Sequence, residues 1–391
     1  MHAHPIVQRF LDRHVPLMHG ARRRVLAAVT AAVMGGHWVG LSHLGRALAG
    51  WGTVKAAIKR VDRLIGHERI GEEACQIGAA LLAQAARMSS TLVIAVDWSS
   101  ASPGGAYVEL RAAVAWPGAG RSLPVYQEVY PLKRLGDARA ERALLERLHG
   151  WIGAQTTVIV ITDAGFRRPW FEAVEALGWH YIGRVRRGVC LSDDGQVWET
   201  AGQWMARAGA KARRMGGCFL ARRAPLSCDV VLYRRALQGR TSYGAQGRPT
   251  SHKAAREARV REREPWLLVH SPALAWLLRP DEIVALYARR MQIEESFRDS
   301  KSPCFGLGFS IGRSRSAARL QALLVVATLA AFLLWHIGQL AEAEGLHRRF
   351  KLTTRATREI SLITLALLLC QSTHPPLTPA ATQALCLRLA I

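Results

Sequence analysis

Acidic residues are scarce in this chain: 29 Asp+Glu stand against 53 Lys+Arg in 391 residues, a formal net charge of +24. A shortage of that size is unusual for a metabolic enzyme. It points to a polyanionic partner, because a basic protein displaces counterions from DNA or settles on an anionic membrane. Cysteine is sparse as well. The seven (Cys75, Cys190, Cys218, Cys228, Cys304, Cys370, Cys386) are odd in number, scattered, and form no C-x-x-C pair. That excludes a disulfide framework and a zinc ribbon. The fourteen histidines make no H-E-x-x-H or paired Cys/His spacing, so they read as ordinary core and surface residues. The N-terminus, MHAHPIVQRFLDRH, lacks an apolar signal core. The most hydrophobic stretch, Ala322–Trp335, covers about 14 residues between Gln321 and His336. A membrane span needs roughly 20, so a buried core helix is expected there. No membrane partner and a reduced, cytoplasmic setting are therefore expected.

What is present is a core. Half of the residues are hydrophobic, and the length leaves room for a catalytic domain of roughly 200 residues with one or two smaller units. Residues 1–88 read as helical. Ala21–Met34 is stopped by Gly35-Gly36, and Ser42–Ala49 and Thr53–Ile65 come next, divided by Gly50-Trp51-Gly52. In the last of these Lys55, Lys59, Arg60 and Arg63 crowd one side, while Val54, Ile58, Val61 and Ile65 recur at helical spacing. Short basic helices broken by glycine fit a helix-turn-helix-like DNA reader as well as they fit a solvated charged face.

From residue 91 the period changes. Thr91–Val96, Tyr107–Trp116 and Leu123–Tyr130 read as strands, Ala138–Ile152 as a helix, and Thr156–Ile161 as a second buried strand. A helix at 168–177 and a strand at 179–185 complete a β-β-β-α-β-α-β order, which predicts an α/β fold with a mixed sheet covered on both faces. Beyond it, 186–278 reads as basic and strand-rich, with a Gly/Arg/Ser-rich loop at 238–264 that includes Tyr243 and Arg248. A long helix is expected from Pro280 to just short of Pro303, and 313–391 reads as helical.

Two aspartates end the apolar runs: TLVIAV leads into Asp97, and the TTVIVI run leads through Thr162 into Asp163. A strand apolar on both faces is central in its sheet, so the residue at its end emerges at the edge where ligands collect. Two such carboxylates side by side repel each other, and a divalent cation between them removes the penalty. Helix N-capping at βα junctions is the competing explanation. On the helix from Pro280, Arg290, Glu294 and Lys301 fall about −60°, −20° and −40° from Tyr287 at 100° per residue, with Arg298 bordering them near +20°. A carboxylate flanked by cations and a phenol suits metal-assisted chemistry on a phosphate backbone.

The segment Tyr287-Ala-Arg-Arg290-Met-Gln-Ile-Glu294-Glu-Ser-Phe-Arg-Asp-Ser-Lys301 matches, at every fixed position, the Y-x2-R-x3-E-x6-K signature of the insertion-sequence family four DDE transposases. VDWSS around Asp97 and TDAGFRRPWF around Asp163 resemble that family's other two acidic blocks, and IKRVDRLIG extends the likeness toward the N-terminus.

The resemblance implies a ribonuclease-H-like catalytic domain (89–312) with a β-rich insertion at about 186–278. An N-terminal helical domain (1–88) would bind transposon ends, and C-terminal helices (313–391) are a candidate dimerisation region. It implies that Asp97, Asp163 and Glu294 hold two Mg2+ ions, with Mn2+ able to substitute. The chemistry it implies is a 3′ nick, a hairpin made by the freed 3′-OH, reopening of the hairpin, and insertion into target DNA. Tyr287, Arg290, Lys301 and Arg298 would grip phosphates, and Trp266 would stack on a base rotated out of the duplex. Trp98 reads as packing. The partners implied are double-stranded DNA, as transposon ends and target, and a second copy of the chain; the setting would be bacterial and nucleoid-associated. Another ribonuclease-H-like nuclease or resolvase, or a DNA-binding protein without cleavage, are the alternatives.

Overall fold

Thr53, Ser316 and Asp137 each precede a helix, and each side chain accepts hydrogen bonds from backbone N–H groups of the first turn, satisfying donors that have no partner inside the helix. In the computed structural model, residues 3–102, 104–236, 264–304, 306–354, 357–372 and 377–390 are described. The stretch at 238–264, with Tyr243 and Arg248, therefore lies outside the described residues except for Glu264. The chain divides into two units, Met1–Val158 with Arg289–Ile391, and Ile159–Ala288.

The first unit begins with five helices: α1 (Ala3–His14), α2 (Gly20–Met34), α3 (Leu41–Ala47), α4 (Val54–Ile65) and α5 (Ile70–Met88). Next come strands β1 (Thr91–Ser100), β2 (Tyr107–Val114) and β3 (Leu123–Pro131), all antiparallel, and helix α6 (Ala138–His149). Strand β4 (Thr157–Thr162) carries the division between the units.

The second unit contains α7 (Arg168–Ala176), β5 (His180–Arg184), β6 (Cys190–Ser192), β7 (Glu199–Thr200), α8 (Ala201–Ala206), β8 (Arg213–Leu220), β9 (Leu226–Tyr233), β10 (Trp266–His270), α9 (Leu274–Leu277) and α10 (Pro280–Ala288). Here β4 and β5 are parallel, joined through α7, and the sheet continues antiparallel through β10, β9, β8, β6 and β7. Gly183 in β5 admits the Phe171 ring of α7, because a Cβ there would lie 2.3 Å from it. The mixed α/β character expected from the sequence is present.

The chain returns to the first unit with α11 (Met291–Lys301), α12 (Ala317–Ala343), α13 (Leu362–Gln371) and α14 (Pro379–Leu389). Helix α12 is the spine of that unit: α1, α2, α4, α5, α13 and β3 gather around it. Two of its polar groups meet β3, where Gln321 bonds Val129 N–H and Gln127 C=O, and Thr328 donates to Gln127. The buried core helix expected around Ala322–Trp335 is present, and it runs for 27 residues, well past that apolar stretch. Its flanks continue in helix-forming Ala, Leu and Gln behind the Ser316 cap. Among the described residues it is the one helix long and apolar enough to cross a membrane, yet 94% of its apolar window is buried against protein. Burial, rather than length, marks it as a core helix.

Two expectations are corrected. The first strand does not end before Asp97: pairing with β2 continues from Asp97↔Arg111 to Ser100↔Val108, so Asp97 lies inside the strand. The helix expected from Pro280 to the edge of Pro303 is two helices, α10 and α11, separated at Arg289-Arg290. There the N–H groups of Gln292 and Ile293 bond carbonyls three residues back, at Arg289 and Arg290. That tighter turn interrupts the continuous helix on which the expected stripe from Tyr287 to Lys301 depends.

Candidate active site

In the first unit, two of the three expected carboxylates converge on one guanidinium. Arg290 Nη2 lies 2.7 Å from Glu294 Oε1, and Arg290 Nη1 lies 3.4 Å from Asp97 Oδ2. Its position just ahead of α11 explains the reach: Glu294 is one turn further on, while β1 passes beside that helix. The Arg290 side chain is 12% exposed and that of Asp97 15%, against 45% for Glu294. The backbone N–H of Trp98 donates to Asp97 Oδ1 at 2.8 Å. Trp98 itself is packing, with its Nε1 on Glu141 at 3.0 Å and its ring against Tyr130.

Two turns beyond Glu294, Lys301 points back to the same strand. Its Nζ lies 2.6 Å from Ser99 Oγ and 3.2 Å from Glu109 Oε1. Burial pushes the Lys301 ammonium toward losing its proton, and the Glu109 carboxylate opposes that. Glu109 in turn holds Arg111 at 3.0 Å, and both are fully buried. The Arg111 guanidinium lies 4.4 Å from the Phe297 ring centre and donates to Ser300 Oγ at 3.1 Å.

A second anchor holds α11 from the opposite side. Arg121 pairs with Asp299 at 2.9 Å and with Glu295 at 3.4 Å. Burial pushes the Asp299 carboxyl up to about 6, against the pull of Arg121. Arg298, by contrast, is largely exposed and pairs with Glu295 at 3.0 Å.

The second unit carries the other expected residues. Asp163 comes directly after the last residue of β4 and is not the N-cap of α7, which is Arg167. Its Oδ1 accepts the Gly165 N–H at 2.7 Å, and Arg186 Nε holds the intervening Ala164 carbonyl at 2.7 Å. Trp266 opens β10 opposite Tyr233, and its ring meets those of Tyr233 and Tyr287 edge-on, at centroid distances of 5.9 and 4.9 Å. Tyr287 is buried. A cavity of about 580 Å³ opens beside Trp266, lined also by Tyr233, Arg235, Lys211 and the α10 face around Val284 and Ala288. The Arg235 guanidinium lies 5.8 Å from the Trp266 ring centre.

On α4 of the first unit, Lys55, Lys59 and Arg63 are exposed, opposite the buried Ala57, Val61, Leu64 and Ile65. Arg60 is half-buried and donates to the Trp51 carbonyl. Val54, expected on the apolar side, is exposed.

Reading the sequence missed Glu109 and Arg111. Two charges at i and i+2 within YVELRAAV share one face of a strand. In isolation that pattern reads as a solvated edge, and only the packing of α11 buries it. Among the described residues no group of three His, Cys, Asp or Glu side chains is arranged to hold a metal ion. Even so, the donors are hard carboxylate oxygens, and Asp97 and Glu294 already share one cation, which is the donor chemistry Mg2+ or Mn2+ takes.

The transposase DDE domain family matches residues 92–333, a span that holds Asp97, Asp163, Trp266, Arg290, Glu294 and Lys301. The chain belongs to this family. It is a DDE transposase, an enzyme whose working partner is DNA, and the surplus of Lys and Arg supplies the charge for that partner. No curated protein matches the transposase.

Proposed function

We propose that this transposase cuts transposon ends by metal-dependent phosphodiester chemistry and joins them to target DNA, with Asp97, Asp163 and Glu294 as its DDE triad. The observation that carries the reading is the Arg290 guanidinium bridging Asp97 and Glu294 inside the span matched by the family. Two Mg2+ ions, or Mn2+ in their place, held by the three carboxylates would activate the attacking oxygen and stabilise the leaving one.

The chain's own side chains do the rest. Arg290 offers a phosphate a planar fork, and Lys301 a fixed point charge. Tyr287 backs Trp266, and the cavity beside Trp266 suits a base rotated out of the end, flanked by Arg235 and Lys211. Stacking there offsets roughly 1–3 kcal/mol of the cost of unstacking, the step a tight hairpin between the two strands demands. Lys55, Lys59, Arg60 and Arg63 on α4 would track phosphates of the end sequence, Arg298 would add a contact beside the triad, and two copies of the chain would pair two ends.

The test is incubation of a labelled duplex of a transposon end with protein and Mg2+. Asp97→Ala or Glu294→Ala should abolish strand cleavage while binding to the end stays nearly unchanged; cleavage by either variant would remove the triad. In the same gel Trp266→Ala should keep the first nick and lower the hairpin about 5- to 150-fold, from roughly 1–3 kcal/mol of lost stacking. Equal loss of both products would assign Trp266 to folding.

A further inference from the structure

Glu109 and Arg111 form a charged pair with no part in the proposed cleavage chemistry. They point from β2 to the same face, both fully buried. Across the β1–β2 register they lie beside Ser99 and Asp97, respectively. Burying one ion pair this deeply gains little stability, because desolvation offsets the attraction. Its geometry serves something else. One Glu109 oxygen takes Arg111 at 3.0 Å and the other takes Lys301 at 3.2 Å. A single carboxylate thus faces two cations, and the group of three carries one surplus positive charge.

That surplus is fixed in place. Arg111 is pinned by Ser300 Oγ and the Phe297 ring, both on α11, and Lys301 Nζ by Ser99 Oγ and the same ring at 4.8 Å. The free end of the network is the Lys301 ammonium, held at β1 two residues beyond Asp97. A lysine on a flexible stem normally loses rotamer entropy when it binds a phosphate; here it is already ordered.

Resting on the proposed role of Lys301 as a phosphate contact, we propose that Glu109 is a positioning residue for strand cleavage: backed by Arg111, it holds the Lys301 ammonium beside Asp97 in the orientation that meets the scissile phosphate. Glu109 itself touches no DNA. Ser99 is the second support of the same ammonium.

A double-mutant cycle on end cleavage tests this, with the full-length transposase, a labelled end duplex and Mg2+. Lys301→Met should slow cleavage roughly 10²-fold, the usual loss when one fixed charge donor is removed from a transition state. Glu109→Gln should slow it about tenfold in the native background, and within about twofold of nothing when Lys301 is already Met, since residues acting through one another are not additive. Fully additive losses would overturn the proposal. Glu109→Gln leaves two buried cations with a weaker partner, so its thermal melt is measured alongside. Ser99→Ala removes the other support without stranding a charge, and should lose a few-fold in the native background and nothing further with Lys301→Met. An additive Ser99→Ala overturns the proposal even if Glu109→Gln fails to fold. Should Lys301→Met itself cleave at the native rate, the phosphate role of Lys301 fails instead, a result separable from the other two.

Discussion

Asp97 and Asp163 come after nearly the same sequence, an apolar run rich in Val and Ile, and the protein holds them by different means. Asp97 sits within β1 among side-chain charges: Arg290 bonds it directly, Lys301 lies two residues along the strand, and Glu109 and Arg111 support that lysine from β2. Asp163 sits past the end of β4 and is held by backbone, its Oδ1 on the Gly165 N–H, with Arg186 bracing the Ala164 carbonyl. Beyond the Trp98 N–H on its Oδ1, the first carboxylate is placed by electrostatics that salt, pH and charge substitutions can disturb. The other is placed by a turn, braced at one carbonyl by Arg186, which a single methyl group can disturb. An apolar run announces a central strand; the residues after that run decide how the carboxylate is fixed.

The largest expected effect attacks the backbone side. A Cβ on Gly165 would lie 2.8 Å from Asp163 Oδ1, closer than real Cβ contacts come. Gly165 does not adopt the left-handed conformation that alanine avoids, so Gly165→Ala costs no backbone strain and the carboxylate must give way. A displacement of about 1 Å at a reacting group can cost about 10²-fold in rate. Cleavage by Gly165→Ala should fall by about that factor, with end binding and thermal stability close to native. Native cleavage would mean that the turn does not fix Asp163.

The two aspartates also mark how far the sequence is legible. Both apolar runs and both carboxylates are visible in it, because strand periodicity and the acidic blocks are local signals. The continuation of β1 through Trp98, Ser99 and Ser100 is not, since its partners are Leu110, Glu109 and Val108 of β2, a contact no local pattern encodes. The interruption of the helix at Arg289-Arg290 is hidden for a similar reason. Neither Pro nor Gly stands there, and arginines are good helix formers. The turn coincides with the passage between units and with the engagement of Arg290 by two carboxylates. Glu109 and Arg111 resemble a solvated edge in the sequence because burial by α11 is tertiary. Helix α12 is recognisable as core, but its ends extend beyond the purely apolar stretch that signals it.

A smaller effect probes the electrostatic side through pH. Helix α11, which carries Glu294 to Asp97, is tied down by Arg121 on Asp299. Burial raises the Asp299 carboxyl from its ordinary 3.8 to about 6. Between those values the folded protein keeps a proton that the unfolded chain has released. Stability from this group therefore declines as pH rises from about 4 through 6, and is regained on acidification. Asp299→Asn keeps an acceptor for Arg121 and removes the titration. The unfolding free energy of the native protein minus that of the variant should fall as pH goes from 4 to 7, a change on the order of 1–3 kcal/mol. A difference that stays level across the range would show that Asp299 does not carry the shifted proton. Gly165→Ala, acting through backbone, should show no such slope.

The smallest effect separates two cations three residues apart on α11. Lys301 is three-quarters buried and bonded to Ser99 and Glu109, whereas the Arg298 side chain is 62% exposed, with Glu295 as its partner. An exposed pair of that kind contributes about 0–1 kcal/mol, so Arg298→Ala should leave the melting temperature almost where it was. If Arg298 meets a phosphate, its loss should weaken end binding evenly across sequences and reduce the slope of log affinity against log salt by about one. An unchanged slope would leave Arg298 as a solvated charge and confine the phosphate contacts of this helix to residues the fold holds in place. On that outcome the charges around Asp97 would all be ordered by the fold, and its contrast with the turn that holds Asp163 would be one of chemistry alone, side-chain cations against backbone.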